Sequence, residues 1–155
     1  MLVLLVGIAT LGAASPLSDV QAEQILEQAQ DVMPENVTAV KIFLNNMKVA
    51  LLMTIPILGI IQGGIIIYST GVVFSAIGNA MGVNGLILLI TVALTPFFWL
   101  EFLAYSAGIT QSVLMAKSIV GKKRFRSEII RTLVILPLMT IILIAGAFIE
   151  ILFIG

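Results

Sequence analysis

Residues 49–100 contain no Asp, Glu, Lys or Arg, and neither do 102–116 or 132–149. No soluble domain of this size hides so much uncharged chain, whereas a helical membrane crossing needs about 20 apolar residues. The runs show no two-residue alternation of the kind that marks a membrane barrel. Their backbone hydrogen bonds must therefore close within helices. Composition agrees: 60% of residues are hydrophobic and 10% charged, with mean hydropathy +1.19. The sequence predicts an all-α integral membrane protein in one domain, residues 1–155. It is expected to be a bundle of about five transmembrane helices with one or two broken or half-helices.

The chain has no Cys and no His. Disulfides, thiolate or imidazole metal ligation and His-based triads are thereby excluded. No nucleophile, base and metal set converges elsewhere, so the chain reads as non-enzymatic, with no cofactor. Zero net charge gives nucleic acid nothing to bind globally.

The charges are sorted along the chain. Asp19, Glu23, Glu27, Asp31 and Glu35 recur every four residues, opposite a stripe of Ala22, Ile25, Leu26, Ala29, Val32 and Met33. This predicts an amphipathic acidic helix outside the membrane. Ser18 and Gln21 form its capping box, and Pro34 its stop. Its acidic face is either simply solvated or a docking surface for a basic partner or cations. Asn36-Val37-Thr38 matches a glycosylation acceptor. Lys117, Lys122, Lys123, Arg124, Arg126 and Arg131 crowd into one short loop, which the positive-inside rule places in the cytoplasm. Anionic lipid is a second reading of that loop.

With the acidic segment outside and the loop inside, an odd number of crossings must separate them. The expected layout is a first span at 1–15, an external segment at 16–47 and a helical core at 48–117. Within the core, crossings are expected near 48–68, 70–95 and 97–117. A cytoplasmic loop follows at 118–130 and a last span at 131–153. Residues 1–15 read as a span rather than a secretory leader, since they lack a basic n-region. Gly63-Gly64, the stretch 78–85 and Thr95-Pro96 are the expected break points. Small residues at four-residue spacing, Gly59 and Gly63, Gly71 and Ser75, Gly78 and Gly82, and Ala104, Gly108, Ser112 and Ala116, allow close helix approach. They serve either within this chain or against a neighbour.

One acid, Glu101, interrupts "LTPFFWLEFLAYSAG" at 94–108. A charged, unpaired carboxylate at membrane depth costs about 3 kcal/mol on insertion scales. Helical spacing sets it on one face with Tyr105 and Gly108. Gln62, Asn79, Asn84 and Gln111 are its candidate partners, and Glu150 lies near the outer end of the last span. Glu101 reads as internal glue, as a polar contact with another subunit, or as an ion or proton site. Phe97, Phe98 and Trp99 read as an interface belt or lipid-facing seal.

These residues resemble the stage II sporulation protein M family, whose members carry Pro-His-Gly-x-x-Glu-x-x-Ala at the start of a membrane helix. Pro96, Glu101 and Ala104 match that pattern, while Phe97 and Phe98 stand in its His and Gly positions. "IFLNNMKVALLMTIPILGIIQGG" is similar to the family's Asn-Asn start of the second helix. Thr70-Gly71 stands where an Asn-Gly pair is usual, and "IILIAGAFIEILFIG" is similar to its last helix. The likeness spans roughly residues 40–153. It implies a non-catalytic membrane scaffold; bacterial members recruit cell-wall hydrolases.

Three functions are thus expected in order: a scaffold organising other membrane proteins, an accessory subunit of a respiratory or monooxygenase-type membrane complex, and a small transporter or channel using Glu101. The expected partners are other membrane proteins or further copies of the chain, with the lipid bilayer around them.

Overall fold

The computed structural model describes residues 1–32, 37–121 and 125–154. The side chain of Asp31 and the residues Glu35, Asn36, Lys122, Lys123 and Arg124 lie outside the described residues, as does the stop at Pro34. Seven helices are found among the described residues: α1 (Leu2–Ala13), α2 (Asp19–Val32), α3 (Ala39–Thr54), α4 (Leu58–Met81), α5 (Gly85–Ala93), α6 (Pro96–Val120) and α7 (Phe125–Ile154). Each break between them has a local chemical cause.

The Ser18–Gln21 capping box forms as expected. Gln21 N–H donates to Ser18 Oγ at 3.3 Å and Ser18 N–H to Gln21 Oε1 at 3.0 Å. Thr38 caps α3 through the Lys41 N–H, and Asn84 caps α5 through the Leu86 N–H. Pro96 occupies the first turn of α6, where its missing N–H is harmless. Gly82, at φ 68°, ends α4 in the left-handed conformation. Its role is that of a C-cap rather than the helix-packing residue expected.

The break expected at Gly63-Gly64 is absent, because α4 runs straight through both glycines. The chain turns instead at Ile55–Ile57. Pro56 removes an N–H and disfavours helix in the residue before it, and Ile55 is extended. Leu58 N–H donates to the Pro56 carbonyl at 2.7 Å, with Ile57 between them at φ 67°. That is the rare γ-turn of positive φ, here on a β-branched residue. The expected crossing at 48–68 is therefore split between α3 and α4. The one at 70–95 is split between α4 and α5.

Two helices, Leu58–Met81 and Arg126–Phe153, are long and apolar enough to cross a membrane. Gly85–Ala93 and Pro96–Val120, bent by 90°, make a third if the pair counts as one span. This replaces the expected count of about five. α1 has 12 residues, and α3 has 16 with Lys41 and Lys48 both exposed. Each falls short of about 20 residues.

Contact register gives the helix directions. α1 runs parallel to α4, with Ala9 and Gly12 against Tyr68–Val72 and Ala13 near Ser75. α3 runs parallel to α6, since Asn46 meets Glu101 and Ile55 meets Ser112. α7 is antiparallel to α6: Thr132 meets Gln111 near one end and Phe153 meets Phe97 near the other. A core of Leu5, Met53, Ile67, Met139 and Leu143 fills the interior. Large apolar side chains also cover the outside, among them Val3, Ile61, Ile90, Leu94, Leu138 and Leu152. Such a surface suits hydrocarbon and not water.

The small-residue stripes are contact points within the chain. A Cβ on Gly71 would overlap the Ala9 carbonyl oxygen, and one on Gly12 that of Tyr68. Gly59 abuts the Met53 carbonyl, Gly63 the Ile109 side chain, and Gly108 lies against Ala50 and Met53. Gly78 faces Val83 and Gly85 across the α4–α5 turn. Ala104 and Ser112 are fully buried on α6.

Candidate functional site

The lone acid of the opening run is not alone in space. α3, α6 and α7 converge beside it. On α3, Asn46, Ala50 and Met53 form the buried stripe, which aims Asn46 inward. Its Nδ2 donates to Glu101 Oε1. From α7, Gly146 lies against the Glu101 side chain, a Cβ there falling 3.9 Å from Glu101 Cγ. One turn on, the half-buried Glu150 stands near Glu101. Glu150 Oε2 is buried with no hydrogen-bond partner. Tyr105, one turn along α6 from Glu101, is buried and is the third titratable group of the cluster. Aromatic rings flank the site: Phe98 stacks on Phe102 with centroids 4.2 Å apart, and Phe97 meets Phe153 edge-on at 5.9 Å.

Two of the anticipated residues, Glu101 and Glu150, are thus brought together, and the four suggested partners are not. Gln62 is exposed on α4. Asn84 caps α5. Asn79 donates to the Leu17 carbonyl at 3.2 Å, while Ser75 Oγ donates to Ser15 O at 2.7 Å and the Tyr68 and Ser15 hydroxyls pair at 2.9 Å. Those α4 side chains pin the link between α1 and the acidic helix. Gln111 sits ten residues beyond Glu101, about 15 Å along the helix. Its Nε2 donates to the Glu128 carbonyl and to Thr132 Oγ1, at 3.0 and 2.9 Å. Ser112 Oγ donates to the Ile55 carbonyl at 2.6 Å and so steadies the α3–α4 reversal.

Asn46 was not among the expected site residues. Its signal was present as an amide at i with Ala50 and Met53 at i+4 and i+7, the small and apolar side of a helix whose other faces carry lysine. Phe98 is likewise a core residue rather than a lipid-facing seal. Trp99 is 42% exposed and donates Nε1–H to the Ala93 carbonyl at 2.8 Å.

The charged surfaces lie at opposite ends. Asp19, Glu23 and Glu27 are exposed on α2. With Ala22, Leu26, Asn79 and Ala80 they line a shallow groove of about 370 Å³. Ala22 is buried and Leu26 half-buried, so the apolar stripe of α2 faces α4 as its periodicity predicts. Lys117 and Arg126 are exposed at the other end, flanking the α6–α7 link.

Fold and cluster together define a class: an all-helical protein with two to three helices able to span a membrane, consistent with a membrane location, and with its polar side chains turned into helix joints. Comparison with protein-family models, with curated proteins and with solved structures returns no match.

Proposed function

We propose that this chain is a non-catalytic integral membrane scaffold or accessory subunit that holds a fixed helical shape and packs against other membrane proteins. The observation that carries this reading is the use of Glu101: its Oε1 accepts from Asn46 of α3 and its side chain packs against Gly146 of α7, as expected of a joint between helices. Gln111, Ser112 and Asn79 make comparable joints. The outer surface is left apolar for lipid and for neighbouring helices. The match of Pro96, Glu101 and Ala104 to the sporulation protein M pattern supports the scaffold version. Scarce extramembrane mass supports the subunit version. By the positive-inside rule, the end bearing Lys117, Arg126 and Arg131 is cytoplasmic and the α2 end is outside.

Extraction in mild detergent, size separation and mass spectrometry of the native complex tests the proposal. A constant stoichiometry with other membrane proteins is the expected result. A chain that migrates alone or only with itself would overturn the accessory-subunit version.

A second reading, a small transporter or channel, draws on the same two carboxyls and on the unpartnered Glu150 Oε2. Reconstituted vesicles decide it: cation or proton flux lost in Glu101→Gln would favour transport, and absence of flux in the unmutated protein would remove it.

A further inference from the structure

We propose that the acidic groove between α2 and α4 receives the lysine-bearing face of α3 from a second copy of this chain. The inference rests on two exposed surfaces of opposite charge and not on the scaffold reading.

The ridge is on α3. Lys41, Leu44, Asn45 and Lys48 stand at i, i+3, i+4 and i+7, one helical face, and all four are exposed. The buried stripe of Asn46, Ala50 and Met53 takes the opposite side. A lysine turned outward from a membrane bundle toward hydrocarbon is costly unless it is paired or reaches the rim. Helical side chains lean toward the N-terminus, so both ammonium groups reach toward the start of α3. That start lies at the α2 end of the bundle, because α3 runs parallel to α6 with Asn46 beside Glu101.

The groove is the counterpart in charge and in shape. Asp19, Glu23 and Glu27 line it with the apolar Ala22, Leu26 and Ala80, over about 370 Å³. The outer two of these acids are about 12 Å apart along α2, and the two lysines about 10.5 Å apart along α3. Leu44, 50% exposed, lies between the lysines and fits the apolar floor. α2 itself carries no basic residue. Like charges four residues apart weaken a helix, and a facing row of cations relieves that repulsion.

The two rows do not meet within one copy. Among the described residues α2 packs against α4 alone, and the only ion pair is Arg131–Glu128, at the other end of the bundle. Ridge and groove both lie at the α2 end, so two copies inserted the same way present them on one side of the membrane. The contact is then a helix face laid in a groove, and a two-fold pair would use each ridge and each groove once. Anionic lipid is a poorer occupant of the ridge, since the exposed carboxylates of α2 at the same end repel it.

The full chain, purified alone in mixed micelles, tests this by its mass and by cross-linking. The unmutated chain is expected to be a dimer that salt weakens. Glu23→Lys with Glu27→Lys, or Lys41→Glu with Lys48→Glu, sets like charges face to face, and each pair should weaken the dimer by about tenfold or more. Mixing the two reversed chains pairs opposite charges again at both contacts and should restore it. Because the chain has no cysteine, Leu44→Cys in one copy should form a disulfide with Ala80→Cys in a differently tagged copy. Leu138→Cys, exposed on α7, should not.

An unmutated chain that stays monomeric at every concentration would overturn the proposal. So would a dimer indifferent to both reversals, or a loss that mixing fails to restore. Nanodiscs containing phosphatidylglycerol supply the last arm: a monomer that enriches this lipid only while Lys41 and Lys48 are present would assign the ridge to lipid instead. The mass of the unmutated chain decides the first outcome without any variant, so a reversal that folds poorly leaves the proposal open to refutation.

Discussion

At the scale of single residues, the fold depends on polar groups that find each other across long stretches of chain. Asn46 is 9% exposed and gives Glu101 its amide donor. Asn46→Ala removes a donor and leaves a buried acceptor, a loss of about 1–3 kcal/mol. Glu101→Gln keeps an acceptor for Asn46, so its expected cost is below about 1 kcal/mol. Equilibrium unfolding of both variants in mixed micelles checks the order; equal losses would mean that the amide does not serve the carboxylate. Ile57 offers the opposite sign. A β-branched residue held at positive φ costs about 1–3 kcal/mol, and glycine adopts that conformation freely. Ile57→Gly is therefore expected to raise stability by about 1 kcal/mol in the same unfolding experiment, after allowing for glycine's added chain entropy. Glu101 was legible in the sequence because nothing near it is charged. Its partners were not, since Asn46 is 55 residues away and Glu150 is 49 positions further on. No local period reports which faces of α3 and α7 will meet α6. Ile57 carried no signal either, as its strain follows from Pro56 ending one helix where Leu58 must begin the next.

At the scale of elements, helix ends were more legible than helix spans. The Ser18–Gln21 box and Pro96 mark true ends, and the break expected within 78–85 falls between the Gly82 and Asn84 caps, because a cap is a local contest between a side chain and the backbone. Spans were read from apolar runs, and an unbroken run hides a turn whose residues are themselves apolar, as at Ile55–Ile57. The Gly63-Gly64 pair misled for the converse reason. Glycine permits a break, but close contact of Gly63 with Ile109 explains its presence within a continuous helix. The α1–α4 contact shows the same use of glycine and can be tested. Gly71→Val would drive a side chain into the Ala9 carbonyl, and overpacking of this kind costs about 1–3 kcal/mol. α1, with only 12 residues, has little else to hold it. A thiol placed by Ala9→Cys should resist maleimide in detergent when Gly71 is present and react readily in the Gly71→Val background. Equal protection in both would show that α1 docks without this contact.

At the scale of the whole molecule, the helix directions set which ends of the chain share a side, and here hydropathy and contacts rest on separate observations. Asn79 holds Leu17 at the end of α4, and Gly85 lies against the Ala13 carbonyl and Ser75. The start of α2 therefore sits at the α4–α5 end, together with the first turn of α6 and the last of α7. The α6–α7 link with Lys117 and Arg126 lies at the far end of two helices of 25 and 30 residues, about 37 and 45 Å long. A bilayer core of about 30 Å fits between them. Because Lys and Arg beside a span stay in the cytoplasm, the two ends should differ in access from outside. A membrane-impermeant maleimide applied to intact cells should label Asp19→Cys and spare Arg126→Cys until the membrane is opened. Labelling of Arg126→Cys alone would invert the orientation while keeping the fold. Labelling of both before lysis would mean that α6 and α7 do not carry the chain across, and the apolar surface of Ile61, Leu94 and Leu138 would then have to be covered by protein instead of lipid.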